Sequence, residues 1–134
     1  MTKDYDLINS IKNHTWNAPW LDFSIFSYEK EKLIIVASDD FSYYHNMEIR
    51  IDFPIYMQGY MEWSSDISDV FIKANIESNK EDIENNTINS LTFFSENKQM
   101  FTIIAKSFSV NFDTVFYYKR ENLLPQQRLA YWIK

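Results

Sequence analysis

With 134 residues, 46% of them hydrophobic and 24% charged, the chain suffices for one domain around one core and is too apolar to be disordered. The absence of cysteine excludes disulfides, thiolate chemistry and cysteine zinc sites, and a single glycine, Gly59, excludes phosphate-cradling and dinucleotide-binding loops. The net charge of −6 is uneven: residues 1–97 carry 17 Asp/Glu against 7 Lys/Arg and residues 98–134 carry 2 against 6, a balance that repels nucleic acid and attracts a basic protein.

The opening "MTKDYDLINSIK" has no apolar stretch of the kind a secretory signal needs, which makes the cytoplasm the expected location. Within it, Leu7, Ile8 and Ile11 stand at helical spacing behind acidic residues and predict a short N-terminal helix. "NHTWNAPW" reads as a loop, because Pro19 biases Ala18 to extended backbone. From Leu21 the period shortens to two. "DFSIFSYE" alternates, and "KLIIVAS" is an apolar run suited to a central strand. The longest such run, "LIIVA", is far below the ~20 residues a membrane helix needs, so no membrane partner is expected.

"HNMEIRIDF" predicts one strand, with His45, Met47, Ile49, Ile51 and Phe53 on one face and Asn46, Glu48, Arg50 and Asp52 on the other. Pro54 should end that strand or mark a sheet edge. "IYMQGYM" is a weaker strand candidate. "DVFIKANI" suits a strand or a helix equally, which leaves residues 67–77 open. "ESNKEDIENNTINS" is polar, with Ser78 and Glu81 spaced as a capping box. "SLTFFSE", "QMFTIIAKSF" and "TVFYYKR" are further strands, the first two joined by a hairpin turn at "ENK" without glycine. The tail "LLPQQRLAYWIK", residues 124–134, fits a helix after Pro125 or a terminal strand.

The expected fold is therefore mainly β, of the α+β class. It is one domain over residues 1–134, an antiparallel sheet or partly closed barrel or sandwich with an N-terminal helix and room for one further short helix. Long βαβ crossovers are absent, which argues against a doubly wound fold.

Motifs for chemistry are few. On a single strand, His45 and Glu48 point to opposite faces, so they cannot converge on a metal or a substrate. Two histidines thirty residues apart fit no zinc spacing, and no nucleophile elbow or calcium loop is present, so no metal, cofactor or catalytic residue is assigned. A hydrolase built on two carboxylates stays open, with no spacing that selects the pair. More informative are aromatic residues set among acids, since rings fill partner pockets while carboxylates steer and pair with cations. Asp39, Asp40, Tyr43 and Tyr44 form one such cluster, and Glu62, Trp63, Asp66 and Asp69 another. These eight are the expected partner-binding residues. An aromatic-lined pocket for a small ligand is the alternative.

The segment "WLDFSIFSYEKEKLIIVASDDFSYYHNMEIRIDFPIYMQG", in a small acidic cysteine-free chain, resembles in its antiparallel rhythm the immunity proteins of bacterial contact-dependent growth inhibition and related toxin systems. The resemblance implies specific neutralisation of a cognate basic toxin domain, in some systems a nuclease, by blocking rather than catalysis. It covers about a third of the chain and carries over no residue roles.

Overall fold

The computed structural model describes residues 4–77 and 87–133. The helix α1 (Asp4–Asn13) forms as its spacing predicts, and Leu7 and Ile11 on its apolar face are buried. The rest is strand: β1 (Trp20–Glu29), β2 (Lys32–Ser38), β3 (Tyr44–His45), β4 (Met47–Gly59), β5 (Glu62–Asp66), β6 (Ile72–Glu77), β7 (Thr87–Ser95), β8 (Lys98–Asn111), β9 (Thr114–Phe116) and β10 (Gln127–Leu129). The protein is mainly β, as the alternation implied. Neither open segment adds a helix: residues 67–77 supply β6 and the tail supplies β10. The capping-box pair Ser78 and Glu81 lies outside the described residues.

Seven strands make one antiparallel sheet in the order β5-β1-β2-β4-β8-β7-β6. It curls into a half-barrel, so that β5 comes back to β7, where Ser65 Oγ donates to the Phe94 carbonyl at 2.7 Å. The concave face holds the core. Leu21, Phe23, Leu33, Ile35, Met47, Ile49, Ile51, Leu91, Phe93, Phe101 and Ile103 point into it, and α1 seals its open side against β6, β7 and β8. Trp63 lies flat between Phe23 and Phe101, with ring centroids 5.5 and 5.4 Å apart. Each such buried side chain contributes roughly 1.5–3 kcal/mol.

Turns are made with little glycine. Glu96 and Asn97 both take the left-handed region, at φ 51° and 66°, and close the β7–β8 hairpin in two residues. Gly59 stands where no other residue fits: φ is 144°, and a Cβ there would come within 2.3 Å of the Met100 carbonyl oxygen.

The "HNMEIRIDF" expectation needs one correction, at its start. Of the two outcomes expected at Pro54, the edge is found: β4 runs on through the proline to Gly59 with β8 alone beside it. The proline is tolerated because β2 has already finished pairing at Asp52 and the β4–β8 register shifts between Pro54 and Tyr56. At the other end the strand breaks at Asn46. The Asn46 N–H donates back to the Ala37 carbonyl at 3.0 Å, and His45 leaves the main sheet to pair with Val115. The single-strand reading placed His45 on the core face with Met47, which the break undoes.

His45 belongs to a second, three-stranded sheet, β10-β9-β3, with β10 parallel to β9. This sheet covers part of the convex face of the main one. Val36 and Glu48, outward-facing and directly opposite each other on β2 and β4, are accordingly 1% and 3% exposed.

Candidate functional site

On the convex face, Glu62, Ser24, Val36 and Glu48 form one cross-strand row over β5, β1, β2 and β4, with Ser64, Asp22 and Ser38 in the next row. The small sheet covers the Glu48 end of the first row. The Glu62 end is left as the floor of a groove of about 620 Å³. Asp22, Ser24, Glu62 and Ser64 line that floor, and Phe26, Phe41, Tyr117 and Trp132 rise around it.

Each wall has a local cause. Phe26 is the extra residue of a bulge, where the β1–β2 register passes from Ile25–Ile35 to Ser27–Ile34, and a bulge re-aims the side chain it inserts. Phe41 sits in the turn after β2, tied by the Tyr43 and Tyr44 N–H groups to the Asp40 carbonyl at 3.2 Å. Tyr117 follows β9, and its N–H donates to the Tyr43 carbonyl at 2.8 Å. Trp132 is carried by a turn whose Ala130 N–H donates to the Phe116 carbonyl at 2.8 Å; its ring lies 5.3 Å from Tyr117 and 5.9 Å from Phe26.

Behind the Tyr117 wall runs a buried polar relay. The Tyr117 hydroxyl lies 2.5 Å from His45 Nδ1, and His45 Nε2 lies 2.8 Å from Glu48 Oε2. Glu48 Oε1 accepts from Arg128 at 2.8 Å and from Arg50 at 3.4 Å, and Arg128 also donates to Asp113 at 2.6 Å. Burial opposes the Glu48 charge, but the hydrogen bonds from His45 and Arg128 outweigh it and hold the carboxyl down at about 2. Ionised Glu48 keeps a proton on His45 Nε2. In the neutral ring Nδ1 is then the acceptor, and Tyr117 donates to it.

A hydroxyl, an imidazole and a carboxylate in line also describe an activated nucleophile. Tyr117 is poorly suited to that role, because burial and then the Glu48 charge push its phenol up and keep it protonated. What the relay does in this geometry is fix the groove wall. Among the described residues no group of three His, Cys, Asp or Glu side chains is arranged to hold a metal ion.

The eight expected partner-binding residues divide. Glu62 lies on the groove floor. Trp63, its neighbour, is 5% exposed and stacked in the core, so its ring is not free to enter a partner; this corrects its assignment as an anchor. Asp66 and Asp69 belong to the turn after β5, where Asp66 accepts from the Ser68 N–H at 2.9 Å and hydroxyl at 2.7 Å, bonds that lower its pKa. Asp39 accepts from the Tyr44 hydroxyl, and Asp40 accepts from the Ser42 N–H at 3.1 Å. Burial, with that bond to Asp39 and the charges of Asp39 and Asp40, raises the Tyr44 phenol to about 12. Tyr43 is exposed, edge-on to Tyr118.

None of Asp39, Asp40, Tyr43 and Tyr44 lines the groove; the turn that carries them contributes Phe41 instead, and Glu62 and its neighbour Trp63 are the expected residues in the lining. Asp22, Phe26, Tyr117 and Trp132 were not found by sequence reasoning. Comparison with protein-family models, with curated proteins and with solved structures gives no match. Among the described residues, no helix is long and apolar enough to cross a membrane.

Proposed function

We propose that this protein is an interaction module of the immunity type, which binds a cognate basic toxin domain and neutralises it by occupying its surface, in the cytoplasm and without catalysis. The observation that carries the reading is the groove itself. It joins an aromatic rim to two carboxylates, Asp22 and Glu62, neither of which has a cationic side chain within 4.0 Å among the described residues. Aromatic walls supply desolvated contact area, and unneutralised carboxylates at the floor supply steering and charge pairing. A chain of net charge −6 extends that field beyond the groove.

The test is affinity capture from host lysate at low and high salt, read by intact mass spectrometry, with an Asp22→Lys/Glu62→Lys variant alongside. One stoichiometric basic protein, held by the parent chain and lost by the variant, is the expected result. Equal capture by both chains would move the docking surface elsewhere.

The groove volume also lies within the range of small-molecule sites, which favours a ligand-binding module as the second reading. That reading expects a small bound mass on the isolated protein and no protein partner.

A further inference from the structure

We infer that the groove is a socket for an arginine side chain presented by the partner protein. The inference rests on the interaction reading above and names the chemistry that the site selects.

The argument is an account of donors and acceptors. Ser64 spends its hydroxyl proton on Asp22 Oδ1. Ser24 directs its own to the Ile25 carbonyl, at the long limit of 3.5 Å. The Tyr117 hydroxyl is engaged with His45 Nδ1 at 2.5 Å, and the opposite ring nitrogen faces Glu48. The groove floor, Asp22, Glu62, Ser24 and Ser64, therefore offers acceptors. Among the described lining residues the side-chain N–H groups are the indoles of Trp132 and Trp63, and the Trp63 ring is stacked in the core. A ligand that satisfies such a surface must bring several N–H groups and a positive charge.

Two features select guanidinium over ammonium. The acceptors are spread over two strands, Asp22 and Ser24 on β1 and Glu62 and Ser64 on β5, which suits five N–H donors in a planar fork better than three on a point charge. The walls are aromatic faces, Phe26, Phe41 and Trp132, against which a flat, weakly hydrated cation stacks. The groove is also open and larger than one side chain, leaving room for the backbone that carries it. No cation of the described chain already fills it: Arg128 and Arg50 are turned to Glu48 behind the wall, and Arg120 lies over Phe116.

The test uses the full chain, isotope-labelled for NMR, titrated with three capped tripeptides, Gly-Arg-Gly, Gly-Lys-Gly and Gly-citrulline-Gly. Citrulline keeps the shape of arginine and removes its charge. The expected result is saturable shifts of the Trp132 indole and of the Ser24, Glu62 and Ser64 amides with the arginine peptide. Lysine should bind more weakly, and citrulline about tenfold more weakly or worse. An Asp22→Asn/Glu62→Gln variant should lose the arginine response while keeping the parent spectrum elsewhere. Equal response to arginine and citrulline, shifts that avoid the groove, or no response at about 10 mM peptide would overturn the socket. A partner protein captured equally by the parent and by that neutral variant would also overturn it while leaving the interaction reading standing. Loss of capture in that variant supports both.

Discussion

Replacing Glu48 by glutamine tests whether the buried relay holds the second sheet on the first. A carboxyl lowered from its ordinary 4.5 to about 2 is favoured in its charged form by about 3 kcal/mol in the folded state. That agrees with the 3–5 kcal/mol typical of breaking a buried ion pair from one side. Glu48→Gln should therefore lose about 3 kcal/mol at neutral pH, or about 10 °C in Tm. The pH dependence gives a sharper check. Because the folded pKa is depressed, the stabilisation is complete above the unfolded value of 4.5 and is lost as pH falls through about 2. The difference between parent and variant should shrink to about 2 kcal/mol near pH 3.5. Urea unfolding followed by tryptophan fluorescence at the two pH values measures both numbers. A variant within about 0.5 kcal/mol of the parent at neutral pH, or a gap that does not narrow with acid, would refute the reasoning.

Other substitutions separate structure from docking. Gly59→Ala should cost at least about 2 kcal/mol by thermal denaturation, because backbone rather than a movable side chain occupies the space. Trp63→Ala should cost about 3–5 kcal/mol through its cavity between Phe23 and Phe101, so any binding defect in it would follow its loss of fold in a denaturation curve. Asp22→Lys and Glu62→Lys, on an open face, should each change stability by less than about 0.5 kcal/mol while removing partner capture. In a spectrophotometric titration, Asp39→Asn should bring the Tyr44 phenol down from about 12 toward 10. In the parent, the raised value makes this contribution to stability full below pH 10 and lost as pH climbs through about 12.

Much of the fold was legible because a half-buried sheet writes itself in period two. "KLIIVAS" and "QMFTIIAKSF" each became a strand, and the helical spacing of Leu7, Ile8 and Ile11 in "DYDLINSIKN" became the helix. The lone glycine also marked a real backbone constraint. The error at His45 has a clear origin: period-two reasoning assumes an unbroken strand, and one slipped residue reverses every face beyond it. The break at Asn46 therefore turned two side chains judged to be opposed, His45 and Glu48, into partners at 2.8 Å. Trp63 was misjudged differently. Its acidic neighbours suggested an exposed anchor, but Glu62, Ser64 and Asp66 alternate with Trp63 and Ser65 as outward and inward residues of a strand, a pattern that was there to be read. The groove itself could not be. Asp22 and Ser64 become neighbours only by strand register, and Phe26 and Trp132 only by the docking of one sheet on the other.

The bond between Glu48 and Arg128 spans eighty residues, and this sets a schedule for the protein during its own synthesis. At about 5–20 residues per second, a ribosome takes roughly 4–16 s to deliver Arg128 after Glu48. Through that interval the outward carboxylate has only Arg50 as a cation, at 3.4 Å, and neither Tyr117 nor Trp132 stands beside Phe26. A chain that stopped short of Arg128 would leave Glu48 with Arg50 alone and the groove without its Trp132 wall. Neutralising the acid and closing the groove thus both wait on residues that follow β9.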